Sequence, residues 1–180
     1  MFLLKTTRRL TSIAPLLFAS VCWGAPSVWN GPTTAFSKVA FADQTLALNQ
    51  DRMTDNVWLT RASTAGLFNI KTEAAFSHFL SPSGTEWAHG TTANYSSLTY
   101  TDWETWAGGA PNIPNIPGQP AVVHLIGDDI YLDLTFTAWG VASGAGGSFS
   151  YTRSTSPAPE PGSLALLGLG ATALISRRRR

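Results

Sequence analysis

Carboxylates and tryptophans are the residues best suited to chemistry in this 180-residue chain. Asp128, Asp129 and Asp133, and separately Asp51 and Asp55, offer the hard oxygen ligands that calcium takes. Their spacing does not follow the D-x-[DN]-x-[DN]-G loop, so turn capping by Asp128 and a solvent-facing Asp133 compete with the metal reading. Trp103 and Trp106 lie in the polar stretch TDWETW, beside Asp102 and Glu104. Indole faces stack on sugar rings, and the two carboxylates can accept hydrogen bonds from hydroxyls, which makes these four residues the candidate saccharide platform. Burial at the edge or core of the fold is the competing reading. Glu86 and Glu104 are a conceivable glycosidase pair, which requires carboxyl groups about 5–9.5 Å apart. His78, His89 and His124 show no H-E-x-x-H spacing, and no G-x-S-x-G elbow is present, so no catalytic residue is assigned.

Charge narrows the partners. Between residues 26 and 156 five basic residues (Lys38, Arg52, Arg61, Lys71, Arg153) face ten acidic ones, a balance of −5 that argues against a nucleic-acid surface. The other cations fall in the two end segments. The single cysteine, Cys22, lies in the first of these, which leaves the middle without disulfides or thiol chemistry. Calcium is the one cofactor the residues suggest.

Short strands must position these side chains. Ile130 to Trp139 alternates apolar and polar residues over ten positions, the period of a strand with one buried face. In that phase Ile130, Leu132, Leu134, Phe136 and Ala138 point inward and Trp139 outward. Ser148 to Arg153 is its expected partner across a glycine-rich loop, and Ala121 to Ile126 a third strand turning through Gly127-Asp128-Asp129. Weaker strands are expected at 28–29, 34–39, 56–61, 66–70, 85–88 and 98–101. A helix is expected over 72–79, and the proline-rich stretch 111–120 reads as an extended surface loop. The count predicts an all-β fold, a single jelly-roll-like β-sandwich over residues 26–156.

The ends read as addresses. Lys5, Arg8 and Arg9 precede an apolar run from Ile13 to Trp23 and small residues, the layout of a signal peptide over residues 1–25 that engages Sec-type export machinery. At the other end Pro159-Glu160-Pro161 leads into an apolar helix-forming stretch, Leu164 to Ile175, and then Arg177, Arg178, Arg179 and Arg180. That stretch is short for a transmembrane helix, but arginine stems extend its reach, and the positive-inside rule leaves the rest of the chain outside.

In order and position these three parts resemble the PEP-CTERM sorting signal. The resemblance covers residues 157–180. It implies a Gram-negative bacterium, an exosortase acting near Pro159-Glu160-Pro161, and an association with exopolysaccharide and biofilm. The strings VWNGPTTAFSK, NQDRMTDNVWLTRASTAGLFNI, SPSGTEWAHGT and DDIYLDLTFTAWG also resemble a domain recurring in secreted bacterial proteins with such tags. That second resemblance implies export and all-β structure and no particular mechanism. The resulting expectation is an exported cell-surface or matrix protein, held transiently at the inner membrane. Its role is structural or adhesive and directed at exopolysaccharide, and a secreted polysaccharide hydrolase is the alternative.

Overall fold

The ten-residue alternation forms the longest strand and organises everything around it. The structure, a computed structural model, describes residues 25–158. The expected signal helix, transmembrane helix and sorting residues Pro159, Glu160, Pro161 and Arg177 to Arg180 lie outside them. Among the described residues the strands are β1 (Ser27–Trp29), β2 (Thr34–Lys38), β3 (Asp51–Arg52), β4 (Trp58–Arg61), β5 (Leu67–Asn69), β6 (Thr85–His89), β7 (Pro120–Leu125), β8 (Ile130–Trp139) and β9 (Phe149–Arg153). The one α-helix among the described residues is a single turn, α1 (Trp103–Trp106). No described helix is long and apolar enough to cross a membrane.

The region is all-β, with two sheets. The larger has six strands in the order β2-β9-β8-β7-β6, and β1 pairs in parallel with the start of β8. Because β7 occupies one edge of β8, β1 and β9 share the other, β1 against Ile130–Leu132 and β9 from Leu134 onward. The smaller sheet runs β3-β4-β5. Four chain-consecutive strands, β6 to β9, lie side by side as a meander. The chain leaves the larger sheet after β2, forms the smaller sheet with β3 to β5 and returns at β6.

Both sheets contribute to one apolar core. Leu59 and Leu67 of the smaller sheet meet Trp87, Leu132, Phe136 and Tyr151 of the larger, all fully buried, and Trp103 and Trp106 of α1 join them. Burying a side chain of this size stabilises by about 1.5–3 kcal/mol, so the tryptophans dominate the interior.

Three expectations need correcting. Residues 72–79 form turns, because Glu73 Oε2 accepts from the backbone N–H groups of Asn69 (2.6 Å) and Ser83 (2.8 Å), clamping the segment as a loop. Eight residues of helical pattern are too few to resist that competition. Residues 98–101 contribute only an isolated bridge, Thr101 to Trp87. The proline-rich stretch is not fully extended: Ala110–Asn115 winds as a 3₁₀ turn, and Ile116 is fully buried.

The topology gives the molecule two distinct poles. Thr34 pairs with Arg153 and Lys38 with Phe149, so β9 runs away from the end that holds Trp139. Beyond β9 the chain continues toward the start of β8, where Ser154 N–H donates to Asp133 O and Gly31 N–H to Thr155 O. Residues 154 and 155 therefore lie toward the Ile130 end of β8. Trp139 lies about 20 Å from the level of Asp133, at roughly 3.3 Å per strand residue.

Candidate functional site

A β-bulge decides where the site lies. The register shifts between Phe136, opposite Tyr151, and Ala138, opposite Ser150, which leaves Thr137 as the extra residue. The phase of β8 reverses there, so Ala138 is exposed and Trp139 turns inward, against the expected direction. Bulges re-aim side chains in this way. Trp139 packs on Phe136 (5.8 Å between centroids), Trp103 (5.5 Å) and Phe149 (6.1 Å).

Beside it opens a cavity of about 220 Å³ at the pole remote from residues 154 and 155, lined by Trp139, Arg61, Phe76, His78, Ile113 and Pro114 among others. The Arg61 guanidinium lies 3.8 Å over the Trp139 ring. Its Nε donates to Ala65 O (2.7 Å) and its Nη1 to Gly140 O (2.9 Å) and Ser148 O (3.1 Å), which pins the neck of the glycine-rich loop. Burial lowers the Arg61 pKa to about 10, and it remains a cation at neutral pH. His78, 66 % exposed, forms the opposite lip; its Nδ1 lies 3.1 Å from Glu104 Oε1. Glu104 also accepts the Phe79 backbone N–H at 2.7 Å.

Backbone strain collects at the same pole. Ala65 and Ala142 line the cavity with φ of 72° and 61°, and Phe79, next to His78, has φ of 60°. Non-glycine residues rarely hold the left-handed region, and such outliers cluster at ligand sites. Gly147 also sits at positive φ, and a Cβ there would collide with Ala62 O, so loop and β4 approach as closely as the backbone allows.

The expected platform is corrected by its burial. Trp103 is 0 % and Trp106 2 % exposed, and Glu104 is 1 % exposed. Asp102 caps α1, accepting from Thr105 N–H at 2.9 Å, and the turn it starts folds both indoles into the core. The segment still serves the cavity, since Trp103 lies beneath Trp139 and Phe76 while Glu104 holds the His78 lip.

The calcium expectation is corrected as well, because its carboxylates are separately engaged. Asp128 accepts from Thr54 Oγ1 (2.6 Å) and Asn56 Nδ2 (2.8 Å), and Asp133 from Thr92 N–H and Oγ1 (both 2.7 Å). Asp129 Oδ1 lies 3.2 Å from His124 Nε2, and Asp51 is bound to Arg153 and Tyr151. Among the described residues no three His, Cys, Asp or Glu side chains are arranged to hold a metal.

The carboxylate pair fails on geometry. Glu86 leaves β6 on the face opposite Trp87, while α1 lays Trp106 on Trp87 itself (5.4 Å), so Glu86 and Glu104 lie on opposite sides of the sheet. Glu86 instead meets His124 at 2.7 Å, in a cross-strand row with Tyr131, whose ring stacks on the imidazole at 4.1 Å. Both His124 nitrogens face carboxylates, which leaves neither for a substrate or a metal.

Tyr100 closes this row, donating to Tyr95 O at 3.0 Å. Burial, then the nearby Tyr131, Glu86 and Tyr95, raise its pKa well above the ordinary 10.0. Above pH 10 the folded state therefore holds a proton that the unfolded state has released, and stability falls as pH rises through the folded value. Tyr100→Phe should flatten that alkaline loss in urea titrations between about pH 9 and 11.5, without abolishing it, because Tyr131 and Tyr151 are shifted the same way. An unchanged slope would remove Tyr100 from the account.

A second cavity, of about 290 Å³, lies at the other pole between Asn30–Thr33 and the β8–β9 edge. It has no aromatic wall, and its charged residues, Asp133 and Arg153, are already engaged by Thr92 and Asp51.

Comparison with known proteins bears on the tail. Residues 157–180 match the family model of the PEP-CTERM protein-sorting motif. The chain thus carries the signal of an exosortase substrate, a protein exported and sorted at a membrane. Neither the curated proteins nor the solved structures yield a match.

Proposed function

We propose that the region between the two end segments is a non-catalytic saccharide-binding module. Carried out of a Gram-negative cell by Sec-type machinery and released from the inner membrane by exosortase, it acts at the cell surface or in the matrix as a structural or adhesive component. Its ligand is exopolysaccharide, and its receptor is the cavity of Trp139, Arg61 and His78. The observation that carries this reading is placement. An aromatic cavity with one fixed guanidinium sits at the end of β8 remote from residues 154 and 155, so an anchor that follows those residues leaves the cavity facing away from the membrane. Pockets that bind sugars and other small ligands combine apolar walls with few, well-placed polar groups, as this one does. A hydrolase would need convergent carboxylates, and the two candidates lie on opposite faces of the sheet.

Glycan-array binding by the exported protein tests this. Trp139→Ala should weaken binding about 30-fold, the effect of losing a tryptophan anchor worth about 2 kcal/mol. His78→Ala should weaken it several-fold, and because the change also takes a partner from the buried Glu104, thermal unfolding is measured beside the binding. Release of reducing ends from the bound glycan would promote the hydrolase instead.

A further inference from the structure

The charges around the cavity narrow the class of saccharide. Lys38 ends β2 on its inward phase, is 1 % exposed, and its Nζ makes no hydrogen bond to any described residue. An ammonium has three donors, and burying it unpaired is costly. Burial lowers the Lys38 pKa, and its neighbour in charge, the second cation Arg61, lowers it further. Asp43 opposes that shift, but its carboxylate is held by Thr45 N–H (2.8 Å) and Oγ1 (2.7 Å).

Arg61 is likewise without a carboxylate. Its hydrogen bonds all go to neutral carbonyls, and Nη2 makes none to a described residue. Neither cation enters an ion pair among the described residues. No acidic residue lines the cavity, and Glu104, behind the opposite lip, is occupied by His78 and Phe79. Arg61 in the cavity wall, with the buried Lys38 as its neighbour in charge and only neutral hydrogen-bond partners of its own, sets up a positive potential there.

We infer that the cavity receives an acidic sugar, whose anionic substituent meets Arg61 Nη2 while Lys38 supplies a second positive charge from behind and Trp139 supports the ring. This rests on the saccharide reading and specifies its ligand class. Carboxylate and sulfate substituents share the required chemistry.

The test uses the full exported protein and three probes: a galacturonate pentamer, its fully methyl-esterified form, and a sulfated galactose pentamer. Calorimetry should show the galacturonate form binding at least about tenfold tighter than the neutral ester, with an affinity that falls as salt rises. Lys38→Met should reduce galacturonate affinity about tenfold and leave the ester unchanged, consistent with one charge acting at roughly 10 Å in a medium of intermediate dielectric. Because it removes an unpaired buried amine, Lys38→Met should also unfold at a higher temperature, so loss of fold cannot mimic the result. Arg61→Gln should cost at least about 30-fold, as truncation of a buried charged partner does. A sulfated probe that binds as well as the galacturonate supports the anionic class. Equal affinity for acid and ester, both lost in Trp139→Ala, overturns the inference and leaves the saccharide reading standing. Failure of all three probes together with a blank glycan array overturns both.

Discussion

Asp51→Ala should destabilise the protein by about 3–5 kcal/mol, the cost of stranding a buried cation whose partner has gone. Arg153 reaches across from β9 to β3, donating through Nε to Asp51 Oδ2 (2.6 Å) and through Nη2 to Asp51 Oδ1 (2.9 Å). Tyr151 donates its hydroxyl to the same Oδ2 at 2.7 Å. Both charged side chains are only 10 % exposed, and the three residues tie the smaller sheet to the larger. Burial works to lower the Arg153 pKa, but the Asp51 carboxylate prevails and raises it. The Tyr151 hydroxyl is driven far above its ordinary value by burial and by Asp51. A domain of this size holds about 5–15 kcal/mol in all, so the single change removes a large share. The double variant Asp51→Ala with Arg153→Met should recover part of the loss, since it leaves no lone charge inside. Urea unfolding of the four species closes the cycle, and a loss below about 1 kcal/mol for Asp51→Ala would show that water reaches Arg153.

That network also shows what could be read in the residues beforehand. Asp51 invited a calcium reading because a carboxylate gives no sign of its partner, and Arg153 lies 102 positions further along the chain. The strands were legible where local pattern suffices: β8 runs over the ten residues that alternate, and β7 and β9 fall within a residue of expectation. A bulge leaves the pattern of residue types unchanged, so the alternation alone places Trp139 on the wrong face. Lys38 did carry a signal, since in TAFSK it shares the phase of Phe36, but a lysine at a strand end is ordinarily read as solvated. The pairings of His78 with Glu104 and His124 with Glu86 depend on register and loop closure, neither of which spacing specifies.

The segment TDWETW has the composition of an exposed stretch and is buried, which yields a sharp contrast between two substitutions at Trp103. On an exposed platform Trp103→Ala would abolish binding and leave the fold intact. With Trp103 fully buried against Trp139 (5.5 Å) and Phe76 (6.1 Å), truncation should instead cost about 3–5 kcal/mol and lower the unfolding temperature by about 10–20 °C. The surroundings cannot close the gap cheaply, because Gly66 is already so near that a Cβ there would meet both the Trp103 and Phe76 rings. Trp103→Phe should behave differently. Trp103 Nε1 is buried with no hydrogen-bond partner among the described residues, so phenylalanine removes an unsatisfied donor along with the volume. These effects oppose each other, and the net loss should stay below about 1.5 kcal/mol. Calorimetric unfolding of both variants, read beside their glycan binding, separates the cases. If Trp103→Ala unfolds like the unsubstituted protein yet no longer binds, the indole stands in solvent and the cavity's floor has been misplaced. If Trp103→Phe is as damaging as alanine, the Nε1 donor has a partner, and the interior beneath Trp139 is wetter than its close packing indicates.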